Sequence, residues 1–241
     1  MKVFVLIFNF IAFYCLVANG QITDPYAEGN HGKDDVHYGY IETVKNPSKI
    51  KKLVCLGLGL NSISEKILML TNLEILELSN NNISSIPDWI SSLKKLKKIS
   101  ISRNNISQMP PVFIKMKCLE ELDFSFNKIK TIDARLLGIS NLKKLNLSGN
   151  RLNTLPRTFV IFSKLEEIDL SNNIFEEIPS VALSLKNLVS LNMYGNGISK
   201  FNNLTTTKTK LTFLAIGNNN LTSANIALLK KKFPNVNISF N

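Results

Sequence analysis

Histidine occurs twice, tryptophan once and cysteine three times in the 241 residues, so the chain has little of what catalytic and metal sites are commonly built from. Its histidines, His31 and His37, flank Asp34 and Asp35 in one polar stretch. That group lacks a rigid ligand spacing and would at most hold a metal weakly. Glycine-rich phosphate loops, a nucleophile elbow and a paired-carboxylate cleft are missing too. The expectation is a chain that is not an enzyme and needs no cofactor. Acidic residues are also in deficit, with 18 Asp and Glu against 29 Lys and Arg, for a net charge of +11. The surplus is mostly Lys, scattered along the chain, without the clustered Arg and stacking aromatics of a nucleic-acid reader. No nucleic-acid partner is expected. A Lys-rich solvated surface is the plain reading, and attachment to an anionic matrix or cell wall the functional one.

Long apolar runs are scarce as well. One extends from Val3 to Val17, interrupted only by Asn9, and it falls short of the roughly 20 residues a membrane helix needs. Met1 and Lys2 give it a basic start, and Ala18-Asn19-Gly20 supply small residues behind it. This layout predicts a cleaved secretory signal at 1–20, Gln21 as the mature N-terminus, an extracellular destination and no membrane span. Residues 21–40 read as a polar arm, and 41–52, containing Asn46-Pro47-Ser48, as a short capping segment.

What is abundant is a rhythm. Leu73, Leu76, Leu78, Asn81 and Ile83 follow the spacing L-x-x-L-x-L-x-x-N-x-I, and the frame returns every 23 residues from Leu73 through Leu211. Leu122, Phe124 and Asn127, or Leu145, Leu147 and Asn150, stand at equivalent places. An earlier copy reads as Leu53, Leu56, Leu58, Asn61 and Ile63, 20 residues before Leu73, and a truncated one as Phe233, Val236 and Ile238, 22 after Leu211. On this reading residues 53–241 hold eight repeats and part of a ninth. Ile86-Pro87, Met109-Pro110, Leu155-Pro156 and Ile178-Pro179 recur at one offset, an apolar plug followed by a stiff turn. Trp89 and Phe175 read as packing residues. From Phe201 to Lys210 the expected apolar positions hold Thr205 and Lys208, which predicts the loosest part of the outer wall.

The pattern resembles the leucine-rich-repeat family, over nearly all of the chain beyond the signal. The resemblance implies an α/β solenoid: a right-handed superhelix with a parallel concave β-sheet and an irregular, short-helical convex wall. In that family the recurring asparagine satisfies backbone groups where the chain leaves each strand, and the concave face binds other macromolecules. Extracellular members commonly carry disulfide-bonded caps, and no cysteine cluster exists here at either end, which argues against a typical receptor ectodomain.

Residues between the inward ones should face the concave solvent. There Glu74 and Glu77 oppose Lys97 and Lys98, followed by Glu120, Glu121 and Asp123, then Lys143 and Lys144, then Glu166, Glu167 and Asp169. Sign alternates strand by strand. A charge ladder that sets register explains Glu77, Lys98, Glu121, Asp123, Lys144, Glu167 and Asp169 better than a charged docking strip does. Arg103, Phe126, Tyr194, Phe213 and Phe240 occupy turn or strand positions where nothing structural asks for such residues. Arg and aromatics carry binding energy at interfaces, so these five are the candidate contacts with a protein partner, Tyr194 and Phe213 foremost. Cys55, placed on the concave side, and Cys118 lie three strands apart, roughly 14 Å, beyond the reach of about 7 Å for a disulfide. Sequons at Asn82, Asn105, Asn146, Asn203, Asn220 and Asn237 are candidate glycan sites, with Asn146 and Asn237 projecting into the concave face. The last strand, 236–240, should end in an unprotected edge, covered by a glycan on Asn237 or by a second copy pairing there.

Overall fold

A computed structural model describes residues 17–18, 21–22, 35–133, 139–201, 204 and 210–240. The chain divides into two units, Met1–Lys33 and Asp34–Asn241. In the first, β1 (Val17–Ala18) and β2 (Gln21–Ile22) pair antiparallel. Apart from these two pairs of residues, the expected signal and most of the polar arm lie outside the described residues.

The second unit is a solenoid. Its strands are β3 (Val36–Tyr38), β4 (Lys52–Val54), β5 (Ile75–Glu77), β6 (Lys98–Ser100), β7 (Glu121–Asp123), β8 (Lys144–Asn146), β9 (Glu167–Asp169), β10 (Ser190–Asn192), β11 (Phe213–Ala215) and β12 (Asn237–Ser239). All ten lie in one curved sheet in chain order, each pairing parallel with the next. This is an α/β solenoid with a parallel concave sheet. From β5 to β11 the middle residue of each strand points into the core and the residues beside it lie on the opposite side of the sheet. Leu76, Ile99, Leu122, Leu145, Ile168, Leu191 and Leu214 are these inward residues, and all are buried.

Outside the sheet the chain returns through short turns. Single 3-10 turns occupy Glu65–Met69, Asp88–Ser92, Pro111–Lys115 and Arg157–Ile161, and a four-residue helix α1 spans Ser180–Leu183. Pro87, Pro110, Pro156 and Pro179 each stand at the N-cap, where a missing N–H costs nothing. Ile90, Phe113, Phe159 and Ala182 plug the core from this side. Phe113 meets Phe124 edge-on, with ring centroids 5.6 Å apart. Trp89 and Phe175 pack in the core. The last full repeat instead carries a ten-residue helix α2, Ser223–Lys232, opened by a capping box between Thr222 and Asn225. Most of 201–210, including Thr205 and Lys208, lies outside the described residues.

The structure corrects the reading at both ends. Leu53 pairs with Leu76, not with Leu73, so the first interval is also 23 residues and the first repeat begins three residues earlier, at Ile50. Ile50, Leu53, Val54, Cys55, Ile63, Ile67 and Leu70 are its buried residues, while Leu58 takes the asparagine position. The arm expected at 21–40 ends in β3, whose His37 pairs with Leu53. At the other end Ile238, not Val236, pairs with Leu214, which lengthens that interval to 24 and turns Phe240 inward.

Candidate functional site

The asparagines form the spine behind the concave surface. Asn81 Nδ2 lies within hydrogen-bond reach of the carbonyls of Cys55 (2.7 Å), Leu78 (2.9 Å) and Ser79 (3.2 Å), and its Oδ1 accepts the N–H of Leu60 (3.0 Å). Asn104, Asn127, Asn150, Asn173, Asn196 and Asn219 repeat this arrangement; Asn127 Nδ2, for example, reaches the carbonyl of Ile101 at 2.9 Å. Each amide thereby joins its own turn to the one before. At Leu58, where the amide is missing, Tyr40 Oη donates to the Leu58 carbonyl (3.1 Å) and Cys55 Sγ to that of Gly39 (3.0 Å).

Outward residues form three columns. In the first, just before the strands, sign alternates through Asp35, Lys51, Glu74, Lys97, Glu120, Lys143 and Glu166. Lys97 pairs back to Glu74 at 2.7 Å and Lys143 back to Glu120 at 2.8 Å. These contacts hold the carboxyls of Glu74 and Glu120 below their ordinary range, and the lysines above theirs. In the second column Lys98 reaches forward to Glu121 (3.4 Å) and Lys144 to Glu167 (3.0 Å). The lysine pairs at 97–98 and 143–144 therefore stitch both neighbouring strands, and Lys98 alone reaches both, with Glu77 behind it at 3.8 Å.

The third column departs from the expected ladder. Asp123 and Asp169 stand opposite Ser100, Asn146 and Asn192, not opposite lysines. Both are buried, and each accepts the N–H two residues on, Ser125 and Ser171, at 2.8 Å. Asn146 and Asn192 do the same for Ser148 and Tyr194 at 3.0 Å. These are turn-closing side chains, and burial pushes the carboxyls of Asp123 and Asp169 up despite their hydrogen bonds. Glu77, in the same column, is raised by burial although Lys98 lies 3.8 Å away.

After β9 the charges stop. The first column continues with Val189 and Thr212, the second with Ser190 and Phe213, the third with Asn192 and Ala215. Val189 is 38% exposed where the alternation calls for a lysine, so Glu166 has no ion pair among the described residues. Phe213 is half-buried on this face. Tyr194 lies four residues beyond Ser190, the partner of Phe213, which is about 13 Å along the strand direction. Phe240 is not on the concave surface, since it fills a core-facing position and packs against the core with Lys230 5.8 Å from its ring. Val189 and Glu166 were missed as site residues, although the interrupted alternation marks both.

Arg103 and Phe126 come together elsewhere, on the turns that leave β6 and β7. The guanidinium carbon of Arg103 sits 4.5 Å from the Phe126 ring centroid. Cys55 and Cys118 are free; Cys118 is exposed, and Cys55 is in the core rather than on the concave face. Burial, then Glu42, pushes the Cys55 thiol up to about 12. Among the sequons, Asn82, Asn220 and Asn237 are exposed and Asn105 half-buried. Asn146, expected to project into the concave face, is 4% exposed and engaged in its own turn, so it presents no amide for a glycan. Asn203 lies outside the described residues, as do His31 and Asp34 of the metal reading. His37 Nε2 lies 3.0 Å from Thr43 Oγ1. No described helix is long and apolar enough to cross a membrane.

The sheet is thus a stack of parallel strands on an asparagine spine, with outward side chains that change character between β9 and β10. Two leucine-rich-repeat family models match the chain, one at residues 94–152 and 119–175, the other at 71–112. Residues 71–175 thus match leucine-rich-repeat models. None of the curated proteins compared with it matches. Among solved structures it is similar to TLR13 in complex with ssRNA13 (33% identity, TM-score 0.65), covering 73% of this chain and 26% of that one. It is also similar to an internalin (inlF) of Listeria monocytogenes (24%, TM-score 0.64, covering 80% and 54%). A leucine-rich-repeat protein of Leptospira interrogans is similar too (24%, TM-score 0.57, covering 80% and 60%). This chain therefore spans less than two thirds of the length of each.

Proposed function

We propose that this chain is an exported, non-enzymatic recognition module that binds a protein partner on the C-terminal part of its concave sheet. The observation that carries this reading is the end of the charge ladder. From β4 to β9 every strand offers charges that its neighbours answer, whereas β10 and β11 offer Val189, Ser190, Tyr194, Thr212 and Phe213 beside an unanswered Glu166. A satisfied ladder gives a partner little to gain, because its own charges already neutralise each other. The patch beyond it offers apolar area with a carboxylate at its margin, which fits a partner segment that presents a Lys or Arg next to apolar side chains. A polyphosphate fits poorly, since the ladder carries no net positive strip and an acid borders the patch. Immune or host-interaction recognition is the process we assign to it, on resemblance of fold alone.

Export by the signal at 1–20 is part of the proposal, with Gln21 expected by N-terminal sequencing of the secreted protein. The exposed Asn82, Asn220 and Asn237 are its proposed glycan sites. The open edge of β12 suits pairing with a second copy, and light scattering of unglycosylated protein tests that. A second reading is adhesion to an anionic matrix, favoured by the row of Lys95, Lys164 and Lys210, each held by the asparagine before it (Asn72, Asn141, Asn187) and facing no acid in its row. Moderate salt abolishes such adhesion but spares an apolar-anchored protein interface.

The test places a photo-crosslinking residue at Phe213 and, separately, at Lys98. Incubated with material from the natural setting, the first should yield one discrete adduct, which Tyr194→Ala weakens, and the second none. Equal labelling from both positions would place the contact elsewhere.

A further inference from the structure

We infer that the turns leaving β6, β7 and β8 form a second docking rim, which takes an acidic polypeptide segment carrying an apolar side chain. The residue before each spine asparagine, and Gly57 before Leu58 in the first repeat, lies in the left-handed backbone region, at φ between 51° and 66°: Gly57, Asn80, Arg103, Phe126, Gly149, Asn172, Gly195 and Asn218. Glycine and asparagine tolerate that conformation, and other L side chains strain in it. Six of the eight positions obey. Arg103 (φ 52°) and Phe126 (φ 53°), on adjacent turns, do not. Strain retained at two neighbouring positions, where the rest of the row shows the unstrained solution, marks side chains kept for what they present.

Those side chains are held in place. The Phe126 ring has the Arg103 guanidinium over one flank, 4.5 Å from its centroid. Its other flank lies so close to Gly149 that a Cβ there would come within 2.6 Å of the ring. Glycine at 149 therefore seats the ring as well as relieving its own backbone. Fixed on both flanks, Phe126 still exposes 45% of its surface. The surroundings are of one sign. Segments 103–109, 126–131 and 149–155 contain Arg103, Lys128, Lys130 and Arg151 and no Asp or Glu, and all four cations are exposed. Among the described residues none of the four has an ion pair.

A rigid exposed ring inside a cationic frame matches an apolar side chain flanked by carboxylates. A sulfated glycan would use the frame and gain little from the ring. The rim is separate from the concave patch, which begins two strands further on.

The probe is a fluorescein-labelled acetyl-Glu-Glu-Leu-Glu-Glu-amide peptide, followed by anisotropy with the full chain at low and at physiological salt. Phe126→Asn and Arg103→Asn adopt the residue type used elsewhere in the row. Each should keep or raise the Tm while weakening peptide binding by about tenfold or more, and Phe213→Ala should leave that binding unchanged. The proposal is overturned by absence of saturable binding up to about 1 mM peptide. It is equally overturned if Phe126→Asn lowers the Tm with binding intact, which makes the ring structural. Heparin that displaces the peptide and binds the Phe126→Asn variant as tightly as the parent would identify a general polyanion surface instead. Loss of binding in Phe213→Ala would show that the peptide reads the concave patch and not this rim.

Discussion

Strands β5–β9 and strands β10–β11 share their inward leucines and their asparagine spine, yet their outward columns have little in common. In the first group lysine pairs on β6 and β8 answer carboxylates on both sides, and buried Asp or Asn side chains close the turns. In the second group the turn-closing Asn192 is kept, but charge gives way to Val189, Phe213 and Tyr194. One backbone supports both surfaces because stability is supplied from within, by nearest-neighbour stacking. Outward residues are free to be spent on neighbours or on a partner.

The comparison can be broken most severely through the spine. Asn127→Ala, in the middle of the sheet, strips a buried side chain that serves both its own turn and the preceding one, and should cost about 2–4 kcal/mol of unfolding free energy in urea. Asn219, half-buried near the end, should cost less; equal losses would mean that the two groups are equally rigid. Next comes Lys98→Glu, which sets a third carboxylate beside Glu77 and Glu121 and should destabilise by about 1 kcal/mol, partly recovered in high salt. A carboxylate introduced at the outward position just before β11, Thr212→Glu, should be nearly neutral.

A smaller effect depends on pH. Burial raises the folded-state pKa of Asp123, so its ionised form weakens the fold. That penalty is complete above the raised value, shrinks as pH falls through it and vanishes below the unfolded value of about 3.9. Asn, already used at 146 in the same column, closes the turn without charge. Asp123→Asn should therefore be more stable than the parent at neutral pH, and the advantage should disappear in acid unfolding experiments. Smallest of all is Val189→Lys, which would extend the ladder to Glu166. It should add only about 0–1 kcal/mol, but it should abolish crosslinking from position 213 and so make β10 behave like β8.

Most of the fold was legible in the spacing of Leu73 to Leu211, since alternation and a recurring amide are visible residue by residue. The individual candidates were legible, but not how they group: that Arg103 lies over the Phe126 ring is a finding of the structure. Phe240 was misread because a shift of two residues at the end exchanges inside for outside. Asp123 and Asp169 were misread because their charge suggested lysine partners, whereas three-residue strands set them opposite Ser and Asn and bury them against their own turns. Cys55 was misplaced because Leu53, Leu56, Leu58 and Asn61 imitate the motif three residues out of phase.

By itself the sequence determined the repeat length, the inward leucines and the asparagine spine from 81 to 219, because each follows from local spacing and from the chemistry of a single side chain. Tertiary structure alone decided the frame at either end and the partner of each charge. Both depend on which residue of the neighbouring coil comes to lie alongside, and that is set by the path each coil takes around the core.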